Sequence, residues 1–339
     1  MSFPLLNASE KVTEELVGLD EIRAAAARIA GVARRTPLLA ERSMSAGRGS
    51  RLKCENLQRG GAFKLRGAYN FVARLPVGER SRGVVTYSSG NHGRAVALAA
   101  RELGVPAVVV VPVDAPSVKV EAIRHLGAEV IEEGTTSVQR QRRAEKIAGD
   151  REMIIVPPFD HRDIIAGQGT VGLEIIEDWP EVERICVPVG GGGLLAGIAA
   201  AVHALLPAVE VFGIEPTGAA AMKRSLEAGE PVQLEAVATV ADGLRPVRPG
   251  NLTLAHARSL VSDVILVEDD EILRALAWCA DEYRLMVEPS GAAAVAALMS
   301  GKLPGPPKAT ALILSGGNVD PTSWVNWVKA YGAAMGGAV

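Results

Sequence analysis

The segment Val187-Pro-Val-Gly-Gly-Gly-Gly-Leu-Leu-Ala-Gly197 sets four glycines between an apolar run and an Ala- and Leu-rich stretch. Glycine lets a backbone come close to an anion and takes positive φ without steric cost. The free N–H groups and the dipole at a helix start then favour a phosphate. A tight strand-to-helix turn with close packing accounts for one such glycine, but four in a row are hard to justify by packing alone. Gly191-Gly-Gly-Leu-Leu-Ala196 also fits the loose G-x-G-x-x-A form, with Glu215 near the end of the next expected strand, so a dinucleotide is a competing ligand. A P-loop is excluded, because no Gly-Lys-Ser/Thr follows.

Lys64 lies in the apolar, glycine-flanked stretch Gly60-Gly-Ala-Phe-Lys-Leu-Arg-Gly-Ala68. Such surroundings disfavour the ammonium form and leave a nucleophilic amine; the competing reading is a surface lysine at a helix start. Two further turns share the strand–glycine–helix form. In Tyr87-Ser-Ser-Gly-Asn-His-Gly93, Ser88, Ser89, Asn91 and backbone N–H groups could grip a carboxylate, or Ser and Asn act as ordinary caps. His92 alone decides nothing. In Leu312-Ile-Leu-Ser-Gly-Gly-Asn-Val319, the Ser315 hydroxyl stands at a strand end, where open α/β sheets place ligands; taken alone it too reads as a cap.

The elements that must position these turns are legible from alternation. Gly83–Tyr87 precedes Arg94–Leu103, Ala107–Val111 precedes Val118–Leu126, Arg184–Val189 precedes Leu194–Leu206, and Val209–Ile214 precedes Ala219–Ala228. Strands alternating with helices predict an α/β fold with mostly parallel sheets; the continuous apolar runs suit strands buried on both faces. Asp20–Ile29 reads as a helix with an acidic N-cap, and Ala309–Leu314 as a strand after the Pro/Gly breaker Leu303–Pro307. Two α/β units are expected, with a cleft between them as the default site. At 339 residues the chain has room for both. Its 36 basic and 39 acidic residues leave a net charge of −3, which excludes the strong field that nucleic acid or an anionic membrane surface would select. Cys54, Cys186 and Cys279 are far apart and odd in number, against a zinc site or disulfide framework. No signal peptide or spanning segment is visible, so a reduced, cytoplasmic protein is expected. A homodimer is the default oligomer. Trp324 and Trp327 are expected as core or interface anchors.

Taken together, the blocks Glu55–Ala68, Ser88–Gly93, Gly190–Gly193 and Ser315–Asp320 resemble, in order, the four signature blocks of fold type II pyridoxal-phosphate enzymes. Within that fold they are most similar to the serine/threonine dehydratase and serine racemase family. Ile165–Thr170 and Val287–Ala292 resemble it too, and the likeness runs from about Asp20 to Lys329. It implies two open, twisted, mostly parallel sheets flanked by helices, as in the tryptophan synthase β-like fold. A small domain of 81–155 would sit beside a discontinuous large domain of 1–80 plus 156–339.

The resemblance implies pyridoxal 5'-phosphate as cofactor and Lys64 as the Schiff-base lysine. Phe63 would pack against the ring; Gly190, Gly191, Gly192, Gly193 and Leu194 would bind the phosphate. Asn91 would face the ring hydroxyl, and Ser315 the ring nitrogen. Ser88, Ser89, Asn91 and His92 would receive the carboxylate of a small amino-acid substrate. The implied activity is dehydration and deamination of a β-hydroxy amino acid such as serine, threonine or a hydroxyaspartate to a 2-keto acid and ammonia. The alternative on the same scaffold is a serine or aspartate racemase, in whose branch a serine at the place of Ser89 is the acid/base opposite the lysine. A nicotinamide-dependent oxidoreductase built on Gly191–Ala196 is the alternative of another class.

Three departures stand out. Gly60-Gly-Ala-Phe-Lys64 lacks the hydroxyl of the family's Thr-Gly-Ser-Phe-Lys, which opens the substrate preference. Of the family's divalent-cation ligands, Glu215 and the carbonyl of Ala219 match two, but Ala221 stands in place of the Asp, so oxygen ligands are short. The chain ends at Val339, soon after Asp320, so a C-terminal regulatory domain and isoleucine feedback are not expected. Arg140, in Gln139–Arg143, is open to two readings: a solvated helix face, or a partner for the second carboxylate of a hydroxyaspartate.

Overall fold

The computed structural model describes residues 15–41, 49–88, 90–115 and 117–332. The first half runs α1 (Leu19–Ile29), β1 (Leu38–Glu41), β2 (Ser50–Lys53), α2 (Lys64–Arg74), α3 (Val77–Arg82), β3 (Val84–Thr86) and α4 (Asn91–Leu103). Then come β4 (Ala107–Val111), α5 (Ser117–Arg124), β5 (Glu129–Glu132), α6 (Ser137–Arg151), β6 (Ile154–Ile155) and α7 (Arg162–Asp178). The second half runs β7 (Arg184–Pro188), α8 (Gly193–Leu205), β8 (Glu210–Pro216), α9 (Ala221–Ala228), α10 (Asn251–Leu260) and β9 (Asp263–Val267). It closes with α11 (Asp269–Tyr283), α12 (Pro289–Met299), β10 (Thr310–Ile313) and α13 (Pro321–Gly332).

Two sheets result, a six-stranded one in the order β1-β2-β10-β7-β8-β9 and a four-stranded one in the order β5-β4-β3-β6. Every pairing is parallel except β1 with β2. The strands β3, β4, β7 and β10 are buried along their whole length, as strands covered by helices on both faces must be. β7 and β10 are direct neighbours running the same way, so the Gly190 loop and the Ser315 turn leave the sheet at the same edge. The Ser88 turn leaves the corresponding end of β3 in the smaller sheet. In the second half, α13 lays Trp324 and Trp327, both partly buried, on the core around β10 and α12.

Helix starts shift from expectation by one to three residues, and two of the shifts change how a helix is entered. The cap of α1 is Gly18, not Asp20: the Glu21 carboxylate accepts from the Gly18 N–H at 3.0 Å. α4 begins at Asn91 rather than Arg94, so Asn91 and His92 belong to its first turn. Glycine at 93 permits this tight entry, since a Cβ there would stand 1.8 Å from the Ser88 carbonyl oxygen.

Beneath α2 lies a largely buried ion cluster. The Arg66 guanidinium donates to Glu55 through Nε at 2.9 Å and Nη2 at 2.8 Å, and to Glu174 through Nη1 at 2.6 Å. Lys53 Nζ reaches Glu174 at 2.6 Å. Arg66, Lys53 and Glu55 are all fully buried. Burial alone would raise the Glu55 pKa, but Arg66 and Lys53 hold it below the usual carboxylate range. The cluster clamps α2 to the β2 segment and α7, two residues past Lys64. Substituting Arg66→Met would strand Glu55 without its counter-charge. Urea unfolding should show a loss of about 3–5 kcal/mol, and a loss under about 1 kcal/mol would contradict this role for the cluster.

Candidate active site

Lys64 is the first residue of α2, and its approach is set by backbone stitching. The Phe63 N–H donates to Ser315 O at 3.2 Å, Ala62 bridges Gly316, and the Gly317 N–H donates to Gly61 O at 2.9 Å. Gly61 has φ 79°, and a Cβ there would fall 2.3 Å from the Asn318 side chain, so only glycine fits. Lys64 Nζ donates to Pro158 O at 2.8 Å and stands 5.1 Å from the Phe63 ring centre. Burial lowers its pKa to about 8.

The glycine loop joins β7 to α8. Gly192 has φ 94°. A Cβ at Gly191 would lie 2.1 Å from the Phe159 ring. Among the described residues no acceptor is found for the N–H groups of Gly191, Gly192, Gly193 and Leu194. A row of unspent donors at a helix N-terminus is an anion cradle.

Across the cleft, the first turn of α4 presents the N–H groups of Asn91, His92 and Gly93, again without acceptors among the described residues. Ser88 Oγ accepts from the Gly90 N–H at 3.3 Å. The His92 ring, expected at the carboxylate loop, is turned inward, with Nε2 3.1 Å from Val156 O. Burial, and then the nearby Lys64 charge, push its pKa down to about 3. It is therefore neutral and spent on the backbone, and only its N–H faces the cleft. Asn91 is held at both ends of its amide: Nδ2 donates to Glu288 Oε1 at 2.6 Å, and Oδ1 accepts from Asn318 Nδ2 at 2.8 Å. Ser89 lies outside the described residues. Ser315 is buried at the end of β10, with Oγ 3.5 Å from Ser290 O.

An amine of lowered pKa, an anion cradle and a second set of N–H groups that find no acceptor among the described residues thus come from three distant stretches of chain. The chain matches the family described as pyridoxal-phosphate dependent enzyme over residues 29–316. This chain belongs to the pyridoxal-phosphate-dependent enzymes. It is 40% identical over 307 residues to an L-threonine ammonia-lyase of Thermotoga maritima, covering 90% of this chain and 76% of that one. It is 37% identical over 317 residues to an L-threo-3-hydroxyaspartate ammonia-lyase of Pseudomonas, covering 93% and 99%. The solved structure of maize serine racemase superposes with a TM-score of 0.89 at 39% identity, covering 95% of this chain and all of the other.

The residues of this pyridoxal-phosphate enzyme suit its cofactor: a lysine able to lose its proton, an unspent phosphate cradle and a hydroxyl at a strand end. They do not suit a dinucleotide, whose ribose would need a free acid after β8. Glu215, in that place, is fully buried and accepts from the N–H groups of Met222 at 2.8 Å and Lys223 at 2.9 Å. The same bonds spend both its oxygens on the start of α9, and burial raises its pKa to about 8. With Ala219 and Ala221 beside it, this is not a donor set for a hard cation. Among the described residues no group of three or more His, Cys, Asp or Glu side chains could hold a metal.

Glu288 had drawn no role from the sequence, although Val287–Ala292 stood out as a block. It is buried at the N-cap of α12, and burial, followed by Asp242, raises its pKa to about 8. A Cβ at Gly316 would stand 2.4 Å from its Oε1. An acid placed before a proline at a helix start looks like an ordinary cap; only burial against Asn91 shows otherwise.

The lowered Lys64 pKa carries a sign. A free amine gains population as pH rises through about 8, so covalent capture of pyridoxal phosphate by the cofactor-free protein should quicken from pH 6.5 and level off above about pH 8.5. Stopped-flow absorbance at fixed cofactor reads this. A rise that continues to pH 10 would show an ordinary, solvated lysine.

Proposed function

We propose that this enzyme removes water and ammonia from a β-hydroxy amino acid to leave a 2-keto acid. The observation that carries the reading is the Lys64 amine, of lowered pKa, together with two rows of N–H groups that find no acceptor among the described residues. In this reading the row at Gly190–Leu194 holds the cofactor phosphate, and the row at Asn91–Gly93, with Ser88, receives the substrate carboxylate. Phe63 lies beside the ring. Asn91, braced by Glu288, meets the ring hydroxyl, and Ser315 meets the ring nitrogen. The cofactor, when bound, supplies the electron sink. Lys64, displaced by the substrate amine, takes the α-proton. The C–O bond at the β-carbon then breaks as water leaves. Hydrolysis returns that water and releases the nitrogen, so substrate yields 2-keto acid and ammonia in balance. Glu288, pushed toward its neutral form, and Ser315, a hydroxyl, keep fixed charge low at the ring. The two regions around the sheets act as a small domain of 81–155 and a large one of 1–80 plus 156–339, and a homodimer is the expected assembly. The three buried free thiols suit a reducing, cytoplasmic setting, and no described helix is long and apolar enough to cross a membrane.

For the substrate, Arg140 favours a dicarboxylic one. It lies in the opening turns of α6, which leave the smaller sheet at the edge that carries the Ser88 turn. Its Nε is buried with no hydrogen-bond partner, and it makes no ion pair among the described residues. Burial lowers its pKa, against an opposing pull from Asp114. A guanidinium in that state suits a carboxylate guest, and the Pseudomonas relative's name points the same way. Racemisation stays open as a second activity through Ser89, on the strength of the maize relative.

Purified protein should be yellow, and borohydride should fix the chromophore on Lys64. Keto-acid release should be measured over serine, threonine and 3-hydroxyaspartate in all configurations, with chiral analysis of unreacted substrate to read racemisation. Lys64→Ala should cut turnover about a thousandfold or more; a colourless, active protein would overturn the reading. Arg140→Gln should lower kcat/KM for hydroxyaspartate by about 10- to 100-fold, the worth of a charged hydrogen bond, and leave serine within about threefold. Equal loss on both substrates would remove Arg140 from specificity.

A further inference from the structure

Two helix N-termini meet the glycine loop. α8 starts within it at Gly193, and its first N–H groups are unspent. α10 starts behind it, and two of its first N–H groups are taken: Asn251 donates to Asp160 Oδ2 at 3.0 Å and Thr253 to Oδ1 at 3.2 Å. The Asp160 carboxylate also neutralises the positive end of the α10 dipole. With Asp160 seated on α10, the start of α8 is the one of the two that faces an anion without a resident carboxylate among the described residues.

The same turn of α10 grips the loop itself. Thr253, fully buried, donates its hydroxyl proton to Gly191 O at 2.7 Å, in preference to Gly250 O of its own turn at 3.2 Å. The Gly250 N–H approaches the same Gly191 oxygen at 3.4 Å. A trans peptide sends its carbonyl and its N–H in opposite directions. Tying Gly191 O to α10 therefore turns the Gly192 N–H away from α10, toward the side where Gly193 and Leu194 offer theirs. Glycine at 192 alone tolerates this, with φ 94° and a Cβ that would stand 2.6 Å from Met222 Cε and 2.9 Å from Thr253 Cβ. A four-glycine loop has little stiffness of its own, so its orientation has to come from outside.

We propose that Thr253, held by Asp160, is a positioning residue that orients the Gly191–Gly192 peptide toward the cofactor phosphate and so sets cofactor affinity. The proposal rests on the phosphate reading of Gly190–Gly193. Its chemistry is that of one buried hydroxyl–carbonyl bond: Thr253→Val keeps the shape and deletes the donor, and Thr253→Ser keeps the donor.

The test is the dissociation constant of pyridoxal phosphate for the full chain, by absorbance titration after hydroxylamine stripping, with the phosphorus NMR shift of the holoenzyme as a second readout. Thr253→Val should weaken binding roughly tenfold, equivalent to about 1.4 kcal/mol, and move the phosphorus resonance. Thr253→Ser should restore both to within about twofold. Asp160→Asn, a partly exposed and milder change, should weaken binding about threefold and serves if Thr253→Val does not fold. Unchanged affinity and resonance in folded Thr253→Val, or in Asp160→Asn when that variant stands in, would overturn the proposal. So would a lower thermal midpoint with cofactor affinity unmoved, the mark of a merely structural residue. A wild-type phosphorus resonance indifferent to Gly191→Ala would instead sink the phosphate reading beneath it.

Discussion

Residues 61–63 are laced to residues 315–317 by the two backbone hydrogen bonds of an antiparallel bridge, and the placement of Lys64 depends on that lacing. Lys64 opens a helix packed on α7 and α4, whereas Ser315 ends a central strand of the larger sheet. Without the pairing, nothing local would fix the distance between them. With it, the amine and the serine hydroxyl share one frame, and β7, the neighbour of β10, brings the glycine loop into that frame. The buried Arg66–Glu55–Glu174 cluster anchors the same helix from the other side. Lys64 therefore hangs between a backbone splice and an ion cluster.

The electrostatics of the cleft follow from burial more than from pairing. Lys64 and Glu288 are both pushed to about 8 from opposite ordinary values, and His92 to about 3. Near neutral pH the acid and the imidazole are uncharged and the amine is within reach of losing its proton. Such a site offers N–H groups and dipoles in place of fixed charges. That suits a guest bearing its own phosphate and carboxylate, since the acid beside Asn91 is held toward its neutral form and does not repel them.

Much of this was legible in the residues. β4 falls on Ala107–Val111 as expected, because five consecutive branched or small apolar residues have no other stable place than a doubly covered strand. The glycine run, Lys64 and the Ser315 turn each looked ambiguous alone, and their order along the chain made the pattern specific. Three things were hidden, for physical reasons. His92 alone decides nothing in the sequence, and its ring turns into the core because helix α4 starts three residues early. Glu288 reads as a cap because the short range of sequence does not show Asn91 facing it. The bond from Thr253 to Gly191 spans 62 positions and has no periodic signature at all.

The turn between β6 and α7 has a wider consequence. Val156 O takes the His92 ring, Pro158 O takes Lys64, Phe159 lies on Gly191, Asp160 caps α10, and His161 accepts from the Asp163 N–H at the start of α7 and meets Phe71 edge-on. Five of the six residues 156–161 thus serve six separate clients. A substitution that improves one contact disturbs the others, so this turn has little freedom to drift. Innovation in such a scaffold is channelled to positions outside that turn, such as Arg140, which makes no ion pair among the described residues. The reaction is thereby insulated from changes of diet: a lineage can exchange one amino acid for another at the rim while the parts that break its bonds stay as they are.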